Sequence, residues 1–169
     1  PCLFLQALHI VEMAARESRP SQGRLMRRVE RLLDEMDTSD PPPALAQRVH
    51  RLVREDLGDP DPYRDLKKRF TNLALTCYPQ LRAQVRSTIT PLETAVRFAI
   101  AGNIIDCGAN SRLAEQDVHD AVACACSLPL RGSIPDFADA IAGAERILYL
   151  ADNAGEVVFD RLLIELLPT

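Results

Sequence analysis

Apolar side chains recur at intervals of three and four along most of the chain, as they do on one face of an amphipathic helix. Leu5, Leu8, Val11 and Ala15 mark a first helix over 3–18. Ser21 can cap a second that runs to about Met36, where the polar run Asp37-Thr38-Ser39-Asp40 and three prolines stop it. Leu45, Val49, Leu52 and Val53 form the stripe of a third, with Gly58 as its C-terminal stop. Asp61-Pro62 reads as an N-cap followed by a first-turn proline, opening a helix through Leu66, Phe70 and Leu73, with a shorter helix after Pro79.

Thr90-Pro91-Leu92-Glu93 has the form of a capping box and starts a helix that carries Val96, Ala99, Ile100 and Ile104 inward and ends near Cys107-Gly108. Further helices are predicted over 113–126 and 135–141, the latter closed by Gly143. The pattern then changes. Residues 146–151 (Arg-Ile-Leu-Tyr-Leu-Ala) form a compact apolar run of strand type, followed by Asp152-Asn153-Ala154-Gly155 and a helical period from Glu156 to Leu167. A single strand and its apolar helix need neighbouring strands and a sheet to cover. The expectation is therefore a helical domain over 1–143 followed, over 144–169, by the first strand–helix unit of a truncated α/β domain.

Composition narrows the function. The 169 residues are 47% apolar and 26% charged, with no Trp and only 8 aromatics, which suits a globular, mainly helical chain and not an aromatic platform for single-stranded nucleic acid. The net charge of -4 divides unevenly, +3 over residues 1–86 and -7 over 87–169, so carboxylate chemistry is expected in the second half. Five scattered cysteines fit reduced thiols better than a disulfide framework. Cys124 and Cys126, two apart on a helix, point to different faces and do not make a zinc site with His119. With no bilayer-length apolar run and no signal-peptide pattern, a cytoplasmic location without membrane contact is expected.

Asp152 and Asn153 sit where a strand gives way to a helix. Their carboxylate and amide oxygens suit a hard divalent ion such as Mg²⁺ or Mn²⁺, and the helix N-terminus behind them suits a phosphate. The spacing from Asn153 to Glu156 is equally that of a capping box, and Gly155 that of a tight turn. Asn103 and Asp106, three apart amid apolar residues, share a face and need polar partners: either local backbone at Cys107-Gly108 or a polar cavity. His9 and His50 read as ordinary helix residues.

The run Tyr149-Leu-Ala-Asp-Asn-Ala-Gly-Glu-Val-Val-Phe-Asp-Arg-Leu-Leu163 resembles the signature of the domain-of-unknown-function 89 family, the metal-dependent damage-control phosphatases. Ala101-Gly-Asn-Ile-Ile-Asp-Cys-Gly108, Asp61-Pro62-Tyr63 with Lys67 and Asn72, and Cys2-Leu-Phe-Leu-Gln-Ala-Leu8 resemble further segments in the same order. The resemblance implies a helical domain joined to a three-layer α/β/α domain, a divalent cofactor (Mn, Co, Ni or Mg) and small phosphate monoesters, such as sugar phosphates, as substrates. It assigns Asp152 and Asn153 as metal ligands, Asp152 and Glu156 to catalysis, and Asn103 and Asp106 to the substrate side of the cleft. A third ligand, an aspartate after a later strand, and a lysine-containing phosphate-binding stretch have no counterpart in these residues. The incomplete unit is expected to be inactive alone and to self-associate through its uncovered strand and helix.

Two other classes compete. Arg24, Arg27, Arg28 and Arg31 share a helical face, with Arg48, Arg51 and Arg54 nearby in sequence, so a helical nucleic-acid-binding module is one alternative. The interleaved Glu30, Asp34, Glu35 and Glu55 favour intrahelical pairing instead, and nucleic acid is not an expected partner. A helical protein-interaction module without catalysis is the other.

Overall fold

A computed structural model describes residues 11, 19–35, 41–104 and 114–168, which form two compact units, Pro1–Asp65 and Leu66–Thr169. The expected opening helix, apart from Val11, and the expected stop at Cys107-Gly108 lie outside the described residues. Seven helices are described: α1 (Arg19–Asp34), α2 (Pro42–Leu57), α3 (Arg64–Ser87), α4 (Pro91–Ile104), α5 (Glu115–Ser127), α6 (Ile134–Ala142) and α7 (Glu156–Ile164).

In the first unit Val49 and Val53, from the stripe expected of α2, pack with Leu25 and Val29 of α1 and with Val11; α1 begins at Arg19, ahead of the expected cap Ser21. Gly58 takes φ +63 and ends α2 in the left-handed conformation that glycine adopts without steric cost. Asp56, on α2, is the charged group of this interface. Its carboxylate is 6% exposed, bonded by Arg28 and faced by Arg24 at 3.9 Å. His50 and Tyr63 meet edge to face, with Nδ1 3.2 Å from the phenolic oxygen. Burial and the Arg54 charge lower the His50 pKa, and burial pushes Tyr63 up to about 12. The Asp61 N–H donates to Asp59 Oδ1 at 2.8 Å and its carbonyl accepts from the Arg64 N–H at 3.1 Å, where α3 opens.

The second unit is built around α4, which packs against α5, α6 and, most extensively, α7. Ala74, Cys77, Leu81 and Val85 of α3 join Ala95, Phe98 and Ala101 of α4, Val118, Val122 and Ala125 of α5, and Val158, Phe159, Leu162 and Leu163 of α7 in one core. Helix α3 runs through Pro79, where a break was expected. Pro79 lies on the exposed face, opposite the continuous apolar stripe, and the carbonyl it leaves without a donor belongs to exposed Leu75, within reach of water.

Arg97 ties α4 to the end of α5 by donating to the carbonyls of Ala125 and Leu128 at 2.8 and 2.7 Å, while Glu93 holds its other side. Glu165 does the same for α7. It accepts from Tyr78 at 2.6 Å, Arg82 at 2.7 Å and Arg161 at 2.9 Å, and the Arg161 guanidinium lies 5.0 Å from the centre of the Tyr78 ring.

The strand–helix unit of an α/β/α domain is not what forms. Residues 146–151 form neither helix nor paired strand, no strand occurs among the described residues, and Leu148 and Leu150 are 85% and 83% exposed. A strand exists only by pairing, and among the described residues this apolar run meets no second one. Helix α7 takes its apolar cover from α4 instead of from a sheet.

Two glycines permit that cover. A Cβ on Gly102 of α4 would stand 2.8 Å from the Phe159 Cβ, so the two helices touch backbone to side chain at this point. Gly155, with φ +91, starts α7 pressed against the Phe70 backbone, where a Cβ would lie 3.3 Å from both its carbonyl atoms.

Gly102→Ala is expected to destabilise the protein by about 2 kcal/mol in urea unfolding, because the added methyl overpacks a contact with no slack; an unchanged midpoint would show that α4 and α7 do not approach this closely. For Glu165, its three donors hold the carboxyl at about 2 against an ordinary 4.5, and the Tyr78 hydroxyl contributes most. A depressed carboxyl stabilises above its unfolded pKa and loses that contribution as pH falls. Thermal melts of Glu165→Gln should thus lie below wild type at pH 7 and converge with it between pH 4.5 and 2.

Candidate functional site

The Gly102–Phe159 contact brings the last turn of α4 to the first turn of α7. The next residue, Asn103, is exposed and donates its amide Nδ2 to Glu156 Oε1 at 3.0 Å. The other oxygen of Glu156 accepts from the backbone N–H of Asn153 at 3.3 Å and from its Nδ2 at 3.4 Å. One carboxylate therefore bridges two asparagines that are fifty residues apart in the chain. A carboxylate accepts only, so both amides turn their NH₂ groups to Glu156 and their carbonyl oxygens away from it.

Asp152 precedes this bridge and is exposed. The pair Asp152–Asn153 thus presents a carboxylate and an amide oxygen side by side at a turn that is braced by Gly155 against Phe70 and by Glu156 against α4. The turn leads into the positive end of α7, which favours the two negative side chains there. Behind it lies a small apolar cleft lined by Phe70, Leu73, Gly102, Val118 and Phe159, with Glu156 as the ionisable side chain among its described lining residues.

Three of the expected site residues, Asn103, Asn153 and Glu156, are joined directly, and Asp152 adjoins them. Asp106 lies outside the described residues. The capping alternative is present as well, in modified form: Glu156 reaches back to the Asn153 N–H, but from the first position of α7 and not the third. Among the described residues no three His, Cys, Asp or Glu side chains converge on one point, and the oxygens that the sequence put forward for a cation are the Asp152 carboxylate and the Asn153 amide oxygen. Both are hard oxygen donors of the kind Mg²⁺ or Mn²⁺ accepts, and the Asn153 amide is held in the orientation that frees its oxygen.

The sequence reading passed over one polar pair. Asp160 is 4% exposed on the buried side of α7, and Tyr149 donates to its Oδ1 at 2.7 Å. Burial raises the Asp160 pKa, and the Glu156 charge adds to it while the Tyr149 bond opposes it. Burial and the Asp160 carboxylate raise Tyr149 in turn. The visible signal was a lone aspartate among Val158, Phe159, Leu162 and Leu163, in a register where an apolar residue belongs.

The damage-control phosphatase ARMT1-like domain model matches residues 1–169. A damage-control phosphatase of Archaeoglobus fulgidus is 33% identical over 122 residues, covering 72% of this chain and 42% of that protein. One from Pyrococcus horikoshii is 26% identical over 165 residues, covering 97% and 56%. The crystal structure of a DUF89 family protein from Pyrococcus horikoshii, at 2.04 Å resolution, superposes with a TM-score of 0.80 at 27% identity, over 97% of this chain and 56% of that one. The chain spans about half the length of these relatives. It belongs to the damage-control phosphatase ARMT1-like domain family.

Proposed function

We propose that this chain supplies the cation-binding turn of a metal-dependent phosphatase acting on small phosphate monoesters, sugar phosphates among them. The observation that carries the reading is the Glu156 bridge, which turns the Asn153 amide oxygen outward beside Asp152. Asp152 and Asn153 would hold the divalent ion (Mn²⁺, Co²⁺, Ni²⁺ or Mg²⁺), which when bound supplies charge against the phosphoryl oxygens. Asn103, and Asp106 beyond it in sequence, would face the substrate. Glu156 contributes by orientation: both its oxygens are engaged by the asparagines, so it sets where Asn103 and Asn153 stand.

The nucleic-acid alternative gains no support from the arginines. Arg24 and Arg28, half of the four-residue face, turn to Asp56.

The test is Mn²⁺ binding, followed by electron paramagnetic resonance, together with hydrolysis of p-nitrophenyl phosphate by the full-length protein. Asp152→Ala should lose phosphate release and weaken Mn²⁺ binding at least tenfold. Glu156→Gln, which can still accept one bond but not bridge both amides, should weaken Mn²⁺ binding about tenfold, within the range usual for groups that orient metal ligands. Activity retained in Asp152→Ala would overturn the assignment.

A further inference from the structure

Resting on that reading, we infer that Lys67 is a substrate-binding residue of the same site: its ammonium takes a phosphate oxygen on the α3 side of the turn, while the cation that Asp152 and Asn153 would hold takes another.

Two contacts lay α7 along α3. Glu165, just past the end of α7, accepts from Tyr78 at 2.6 Å and from Arg82 at 2.7 Å. Gly155, at its start, lies against the Phe70 backbone, where a Cβ would stand 3.3 Å from the carbonyl atoms. Phe70 precedes Tyr78 as Gly155 precedes Glu165, so the two helices run side by side in the same direction. The Asn153 carbonyl accepts from the Val157 N–H at 3.4 Å, which carries the line of α7 back past Gly155 to Asn153. Going back the same way along α3, Lys67 comes three residues before Phe70, about 4.5 Å further at 1.5 Å per residue. Lys67 and the Asp152–Asn153 turn are therefore neighbours beyond one and the same contact.

The face of α3 is fixed by the other contact. Lys67, Thr71, Ala74, Tyr78 and Arg82 succeed one another at intervals of three and four, so they form one stripe, and its last two members grip α7. Lys67 stands eleven residues before Tyr78, three full turns to within about 20°. It lies on the side of α3 that α7 follows, at the end where the candidate ligands stand.

Charge agrees with this place. Residues 64–69 read Arg-Asp-Leu-Lys-Lys-Arg at the opening of α3, and cations there oppose the helix dipole, so the helix itself gives no reason for them. A phosphate monoester brought to the Asp152 carboxylate and one divalent ion leaves an excess of negative charge. A lysine ammonium offsets it as a compact charge on a flexible stem.

The experiment measures phosphate and metal separately on the full-length protein. Binding of inorganic phosphate to the Mn²⁺-saturated protein is followed by calorimetry, Mn²⁺ binding by electron paramagnetic resonance, and KM and kcat with p-nitrophenyl phosphate. Lys67 belongs to neither core cluster, so its variants keep the packing. Lys67→Ala and Lys67→Gln should weaken phosphate binding about tenfold and raise KM, with Mn²⁺ affinity unchanged, because the lost charge-assisted bond goes to phosphate and not to the ion. Lys67→Arg, which keeps the charge, should restore most of the phosphate affinity. Lys68→Ala, one residue on and about 100° round the helix, should bind phosphate as wild type does. Wild-type phosphate affinity in both Lys67→Ala and Lys67→Gln, or an equal loss in Lys68→Ala, overturns the inference, as does a loss of Mn²⁺ affinity in step with phosphate. If wild type takes up no Mn²⁺, the cation reading is overturned and this inference with it; if wild type binds Mn²⁺ and phosphate and Lys67→Ala does so equally well, only this inference is.

Discussion

The close approach of α4 and α7 at Gly102 is the constraint from which the rest of the second unit follows. A helix pair separated by ordinary side chains keeps its axes 8–10 Å apart. Glycine at the crossing lets the Phe159 side chain rest on the α4 backbone itself. The residue after that glycine, Asn103, is then carried to within hydrogen-bonding distance of the residue that opens α7, Glu156. The apolar contact and the polar bridge are thus one device: the methylene-scale fit beneath decides the amide–carboxylate geometry above. Glu165, held by Tyr78, Arg82 and Arg161 one residue beyond the other end of α7, fixes that helix lengthwise so that the fit is not lost by sliding.

How much of this could be read beforehand depended on whether the physics was local. The stripe of α2, the stop at Gly58 and the start of α4 at Pro91 follow from periodicity and punctuation within a few residues, and the chain folds there as its letters suggest. Pro79 misled because proline weakens a helix locally, whereas the buried face of α3 continues unbroken on the opposite side. Residues 146–151 misled more deeply. Apolar, β-branched and aromatic composition reports willingness to pair, and pairing is supplied, or not, by chain elsewhere. The site was legible in part: Asn103 among apolar neighbours announced a need for a polar partner, but that the partner was Glu156 is a tertiary fact with no sequence trace. The glycines were the reverse case, visible as letters but mute about which surface would press against them.

Asp160 shows how a polar residue in the wrong register can be informative. In a helix whose other buried positions are Val158, Phe159, Leu162 and Leu163, a carboxylate opposes the hydrophobic effect and raises its own pKa by doing so. The Tyr149 hydroxyl satisfies that carboxylate and joins residue 149 to α7. Tyr149 packs against the core while keeping a polar tip, and Asp160 is what the tip finds.

The turn between these anchors joins two demands that usually conflict. Ligand atoms must be exposed to meet a cation, and exposed backbone at a turn is ordinarily the least restrained part of a fold. On the proposed reading Asp152 and Asn153 would escape the conflict, because the restraint is applied on either side of them and their oxygens stay exposed. Before them stands a half-buried phenol, after them a glycine backed against Phe70 and a carboxylate shared with α4. On the proposed reading, cation affinity would depend less on the two donors, which any Asp-Asn dipeptide carries, than on the apolar contacts at Gly102 and Gly155, which touch neither donor.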